Sequence, residues 1–186
     1  MVSEKGLVRA MQEAWRSCGY IVAIRDELIY IKHNAWDLLM PVKLLPRKAL
    51  ALLVEHIGCI PQDGESYQCA KTKGAQLVAP AIAHDNLEQL RRMGCSNGCE
   101  KTKLNWGDAE IWQGFGFLEI RGLDPDYTRI VDIEKSVNAF IWEHGVVWVD
   151  DAKIRIWGIE LPDFVQNVLS SVQWVGGNGR PERNSD

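Results

Sequence analysis

The side chains best suited to chemistry in this 186-residue chain are five cysteines and four histidines. Zinc is usually held by four sulfur or nitrogen ligands drawn from two tightly spaced pairs. Cys95 and Cys99 make one such pair, while Cys59 and Cys69 lie ten positions apart. A metal site from Cys59, Cys69, Cys95 and Cys99 is therefore half specified, and free thiols in a Ser/Asn/Gly loop are the other reading. The redox spacing C-x-x-C is absent, and the fifth cysteine, Cys18, stands apart. An odd count in a chain whose first residues lack a hydrophobic core points away from a disulfide framework.

The histidines give no catalytic set. His56 follows Glu55 and His144 follows Glu143, and both read as helix-end or surface residues. His33 ends a strand, His84 precedes a helix cap, and nothing in the sequence joins either to a nucleophile and an acid. Asp150-Asp151 and Asp124-Pro125-Asp126 pair carboxylates, but each sits where turn chemistry wants Asp. No nucleophile elbow, phosphate loop or H-E-x-x-H occurs. Gly114-Phe115-Gly116 lacks the remaining glycine of a dinucleotide fingerprint. The expectation is a non-enzymatic protein with no cofactor.

Elements must position whatever site exists. Ser3 caps a predicted helix to about Cys18, with Leu7, Met11 and Trp15 on one face. Tyr20 to Arg25 and Leu28 to Lys32 predict a hairpin through Asp26-Glu27. A third strand follows, then a helix opened by Pro46 and ended by Gly58. Asp85 and Glu88 resemble a capping box for a short helix. Asp132 to His144 has helical spacing, with Val137, Phe140 and Ile141 inward and Gly145 as the stop. Val146 to Trp157 reads as a further hairpin, and Pro162 opens a last helix bearing Val165, Val168, Leu169 and Val172. The fold class is α+β, antiparallel hairpins packed with about five helices. Residues 91–105 are basic and Gly-containing and predict a flexible linker. The division is then 1–90, an N-terminal subdomain, 91–105, and 106–175, an acidic Trp-rich subdomain, with a disordered tail at 176–186. The Leu45-Pro46 and Leu161-Pro162 helix starts, each after a hairpin, leave open a duplicated β-β-α unit.

The net charge of −4 hides an asymmetry. Residues 1–105 hold 14 basic and 11 acidic side chains, and residues 106–186 hold 7 and 14. Six of the eight tryptophans lie in that acidic part. Trp anchors interfaces and an acidic rim selects a basic partner. Asp150, Asp151, Glu160 and Asp163 with Trp148 and Trp157 are the expected partner-binding face. A nucleic-acid or nucleotide reading stays open beside it, on Arg47, Lys48, Arg91, Arg92, Lys101 and Lys103. Arg47 and Lys48 occupy a helix N-terminus, where the dipole disfavours cations unless an anion joins them. An enzyme of unrecognised type is the third reading. No run of about 18 apolar residues suggests a membrane helix, and the expected location is the cytoplasm.

The stretches GYIVAIRDELIYIK and LPRKALALLVEHIG resemble short proteins of bacterial phages and other mobile elements. That resemblance covers the first third of the chain. It implies an inhibitor of a host-defence nuclease, of the anti-CRISPR kind, and assigns no residue. The expected partner is a protein with a basic surface.

Overall fold

The computed structural model describes residues 2–93, 98–116, 119–135 and 138–172. Along the chain run α1 (Glu4–Arg16), β1 (Tyr20–Arg25), β2 (Leu28–Lys32), β3 (Trp36–Pro41) and α2 (Arg47–Ile57). Then come β4 (Ser66–Ala70), β5 (Gly74–Leu77), α3 (Ala81–Arg92), β6 (Cys99–Trp106), β7 (Ala109–Gly114) and β8 (Ile120–Leu123). The last are α4 (Pro125–Thr128), β9 (Ala139–Trp142), β10 (Gly145–Val149), β11 (Lys153–Trp157) and α5 (Asp163–Ser170). The α+β class is as expected, with antiparallel pairing throughout.

Local chemistry explains the first units. Ser3 accepts the backbone N–H of Gly6 and caps α1. The β1–β2 turn places Asp26 and Glu27 at φ 51° and 61°. That mirror-image turn suits the right-handed twist of a hairpin. Gly58 ends α2 in the left-handed conformation, φ 86°.

Eight strands form one sheet in the order β5-β4-β1-β2-β3-β11-β10-β9. Its seam is the β3–β11 pair, Leu39 opposite Lys153, Leu38 opposite Ile154 and Asp37 opposite Arg155. The two ends of the chain thus share a sheet, rather than forming subdomains on either side of a linker. Residues 99–105 of the expected linker belong to β6, which pairs with β7. Their alternation was obscured because the register shifts between Lys101 and Asn105, as a bulge does. Cys95 and the tail 176–186 lie outside the described residues.

The repeated unit is β-β-β-α. β1–β2–β3 leads through Leu45-Pro46 to α2, and β9–β10–β11 leads through Leu161-Pro162 to α5. The two meanders meet edge to edge, as a twofold axis normal to the sheet would place them. This corrects the expected helix after Asp132, because residues 139–142 pair with β10 and alternate in burial. Gly145 starts β10 instead of stopping a helix. A Cβ there would lie 2.0 Å from the Ile156 carbonyl oxygen. α3 begins at Ala81, so Asp85 lies inside it and caps nothing.

Each face of the large sheet is covered. On one face Val22, Ile29, Ile31, Leu38, Val146, Ile154 and Ile156 pack with Leu7 and Met11 of α1, Leu53 of α2 and Trp112 of β7. On the other, Ala23, Tyr30, Leu39 and Val147 meet Ala83, Leu87 and Leu90 of α3. Lys153 fixes the end of α3 by donating to the carbonyls of Arg91 at 2.6 Å and Met93 at 3.0 Å.

The α3 face also holds a buried ion pair. Arg155 Nε donates to Asp37 Oδ1 at 3.1 Å, and Nη2 donates to Oδ2. The Tyr30 hydroxyl donates to Asp37 at 2.9 Å, and Arg155 Nη1 donates to Gln89 Oε1 of α3 at 3.1 Å. Burial pushes the Asp37 carboxyl up, while the hydrogen bonds and charge of Arg155, with the Tyr30 hydroxyl, pull against it. Removing one member of such a pair leaves an uncompensated buried charge, at about 3–5 kcal/mol. Asp37→Ala and Arg155→Ala should each lower the unfolding free energy measured in urea by that order, with a correspondingly lower midpoint. Asp37→Leu combined with Arg155→Met should lower it less than either single change. Single variants that unfold like the wild type would show that the pair does not hold the seam.

Candidate functional site

The expected acidic face divides in two. Asp150 and Asp151 form the turn between β10 and β11, whereas Glu160 and Asp163 follow the far end of β11. The hairpin between them runs from Val149 opposite Lys153 to Gly145 opposite Trp157. Five residues at about 3.3 Å each separate the two acidic pairs by roughly 16 Å. Asp150 accepts from the Asn138 side chain at 3.0 Å. Trp148 is 1% exposed and meets Trp112 edge-on, so it belongs to the core and not to a partner face. Trp157 is half-buried. Its ring centroid is 4.4 Å from the Arg155 guanidinium carbon, with Trp142 at 4.8 Å from the same carbon.

The basic residues do not converge either. The start of α2 receives a carboxylate from within the chain. Glu4, in the first turn of α1, lies 3.5 Å from the Lys48 backbone nitrogen and 3.6 Å from its Nζ. That contact answers the conflict between the dipole and the Arg47-Lys48 pair, without an external phosphate. Arg91 meets Asp26 and Glu88, Arg92 meets Glu88, and Lys101 meets Glu110 at 2.6 Å. Lys103 lies on β6, in the other sheet. Helix-end and sheet positions on separate elements replace the expected basic patch.

The thiols are likewise dispersed. Among the described residues no three His, Cys, Asp or Glu side chains gather to hold a metal. Cys69 is buried and donates to the Tyr20 carbonyl, and burial pushes its thiol up to about 11. Burial pushes Cys99 up to about 12. Cys59 is exposed.

Two histidines match their expected places only in part: His56 lies in the last turn of α2 but not at the surface, and His144 is at the surface but not on a helix. His56 is buried, stacked on Trp15 at 4.4 Å with its Nδ1 at 2.9 Å from the Tyr20 hydroxyl. His144 is exposed in the β9–β10 turn beside Glu143, not at a helix end. His33 is buried and its Nε2 lies 3.2 Å from the Cys18 sulfur, a contact between residues fifteen apart. The side chain of His84 is not among those described.

One surface gathers apolar groups. α5 docks through Leu169 on Ile111, Ile120 and Leu104 of the smaller sheet, with Leu161 beside them, and Val165 of the same helix is buried. The expected stripe is wider than that contact. Phe164 and Val168 are each 63% exposed, and Val172 is 46% exposed. Trp106, 43% exposed at the end of β6, meets the Phe164 ring at 5.6 Å. Gln113 holds the end of this segment by donating to the Val172 carbonyl at 2.7 Å. Exposed Asp108, Glu160 and Asp163 border the apolar residues in sequence. Trp174, the sixth tryptophan of the acidic part, lies outside the described residues.

Compared with protein-family models, curated proteins and solved structures, the chain matches none.

Burial lowers the basicity of both His33 and His56 from the ordinary value. The unfolded chain therefore takes up protons that the folded chain refuses. Stability present above the ordinary histidine value, about 6.5, is lost as pH falls below it. The urea midpoint should fall between about pH 7 and pH 5.5, and His56→Gln should flatten that slope. An unchanged slope would show that His56 titrates normally in the fold.

Proposed function

We propose that this protein acts by binding another protein through the outer face of α5 and the adjoining Trp106. The observation behind this reading is that Phe164 and Val168, one turn apart on α5, are both exposed, with Val172 exposed just beyond the helix end. A helix apolar on both sides ordinarily has a partner on both sides. Here the smaller sheet covers one side only. Large contiguous apolar surface rimmed by polar groups is the usual mark of an interaction site.

The charge of the surroundings selects the partner. Asp108, Glu160 and Asp163 give the patch an acidic border, so a basic protein surface is its complement. A nuclease with a basic nucleic-acid channel belongs to that class, and inhibition of a host-defence nuclease is the specific form of the proposal. The residues of this site are Trp106, Phe164, Val168 and Val172, with Glu160 and Asp163 from the earlier expectation. Direct nucleic-acid binding is disfavoured because Lys48, Arg91, Arg92 and Lys101 already face carboxylates.

The test places a photoreactive phenylalanine analogue at position 164 in the producing cell and identifies the crosslinked protein by mass. Binding of that purified protein is then measured against wild type, Phe164→Ala and Glu160→Lys/Asp163→Lys. An aromatic anchor contributes about 2 kcal/mol or more, so Phe164→Ala should weaken binding about 30-fold. Charge reversal and added salt should both weaken it further. Equal affinity for all variants would overturn the proposal. Crosslinking to a second copy of the chain, with dimers lost in Val168→Glu, would overturn the basic-partner assignment.

A further inference from the structure

The contact between Cys18 and His33 lies away from α5 and carries a different chemistry. Cys18 is exposed at the end of α1, and His33 and Asn34 form the β2–β3 turn. His33 Nε2 is 3.2 Å from the Cys18 sulfur, and the Asn34 amide donates to the same sulfur at 3.6 Å. The tautomer follows from the other ring nitrogen. The Ala35 backbone N–H donates to His33 Nδ1 at 3.3 Å, so in the neutral ring the proton resides on Nε2, facing the sulfur. Trp36 and Tyr127 hold the ring, with centroids 5.9 Å and 5.8 Å away.

We infer that Cys18 is a reactive thiol site, whose thiolate receives N–H groups from His33 and Asn34 and exchanges with low-molecular-weight disulfides. The tautomer decides the class of reaction. Nε2 in this state has no lone pair to accept a proton, so the ring does not serve as a general base toward the sulfur. Stabilisation of a thiolate suits disulfide exchange, where the attacking and leaving groups are both sulfur anions. The Cys18 thiolate attacks one sulfur of R–S–S–R. The new S–S bond forms as the old one breaks, and the electron pair leaves on R–S⁻, which takes a proton from water. Cys18 is oxidised and the departing sulfur is reduced.

The experiment treats the full chain with cystamine at pH 7 and measures mixed disulfide at each cysteine by peptide mass. Cys59, also exposed, serves as the comparison inside the same molecule. Cys18 should react about tenfold faster than Cys59, given the dependence of thiol reactivity on N–H donors that stabilise the thiolate. His33→Leu should reduce Cys18 to the level of Cys59, while His33→Gln, which keeps an N–H, should retain most of the advantage. Cys59 should be unaffected by either change. Should His33→Leu fail to fold, Asn34→Ala on the exposed turn serves in its place and should lower the Cys18 rate alone. Equal rates at Cys18 and Cys59 in the wild type would overturn the inference, as would an unchanged ratio in a folded His33→Leu or Asn34→Ala protein.

Discussion

The pairing of Asp37 with Arg155 is the constraint around which the other elements are arranged. The two residues face each other across the only junction between the meanders described here, β3 against β11. Both point to the α3 side of the sheet, where neither charge could remain alone. Tyr30 completes the carboxylate's partners and Gln89 those of the guanidinium, so the next strand and the covering helix are drawn in. Trp142 and Trp157 close over the guanidinium from β9 and β11. One charge pair thus sets the register of the seam, the seat of α3 and the orientation of two aromatic rings. An apolar pair could supply burial but not this register, because it would tolerate a slide along the strand.

Much of the fold was legible because local chemistry specified it. Ser3 before an amphipathic run, the two-residue turn at Asp26-Glu27 and the Leu-Pro helix starts act within a few residues of themselves. Misreadings arose where distant pairing overruled local spacing. Phe140 and Ile141 satisfy helical periodicity, but the exposed edge of β10 takes them as a strand. β6 was concealed by lysines on its outer side and by a register shift. Trp148 and Trp157 both sit in strand-like sequence, and only the position of Trp112 and Arg155 makes one core and the other a cover.

The candidate sites show the same division. The acidic residues were visible as composition, yet composition has no geometry, and the hairpin carries half of them to its opposite end. The exposed side of α5 was present in the sequence as a stripe too broad for one contact. Cys18 and His33 had no sequence signal, since a helix end and a turn meet through the packing of α1 against the sheet. The Arg47-Lys48 anomaly was real and called for an anion. Glu4 of the neighbouring helix supplies it, which shows how a local electrostatic conflict can record a tertiary contact.

The seam has a consequence for the chain during its synthesis. Arg155 follows Asp37 by 118 residues. At about 5–20 residues per second, β3 waits roughly 6–24 s for its partner strand to be made. Throughout that interval the first meander ends in a bare edge, rich in Trp, Leu and Met. Such an edge invites pairing with any other nascent strand, and a charge on it discourages this. Asp37 is the second residue of β3 and cannot be buried against an apolar neighbour without its cation. The same carboxylate that later fixes the register therefore keeps the unfinished chain apart from its copies until the matching strand arrives.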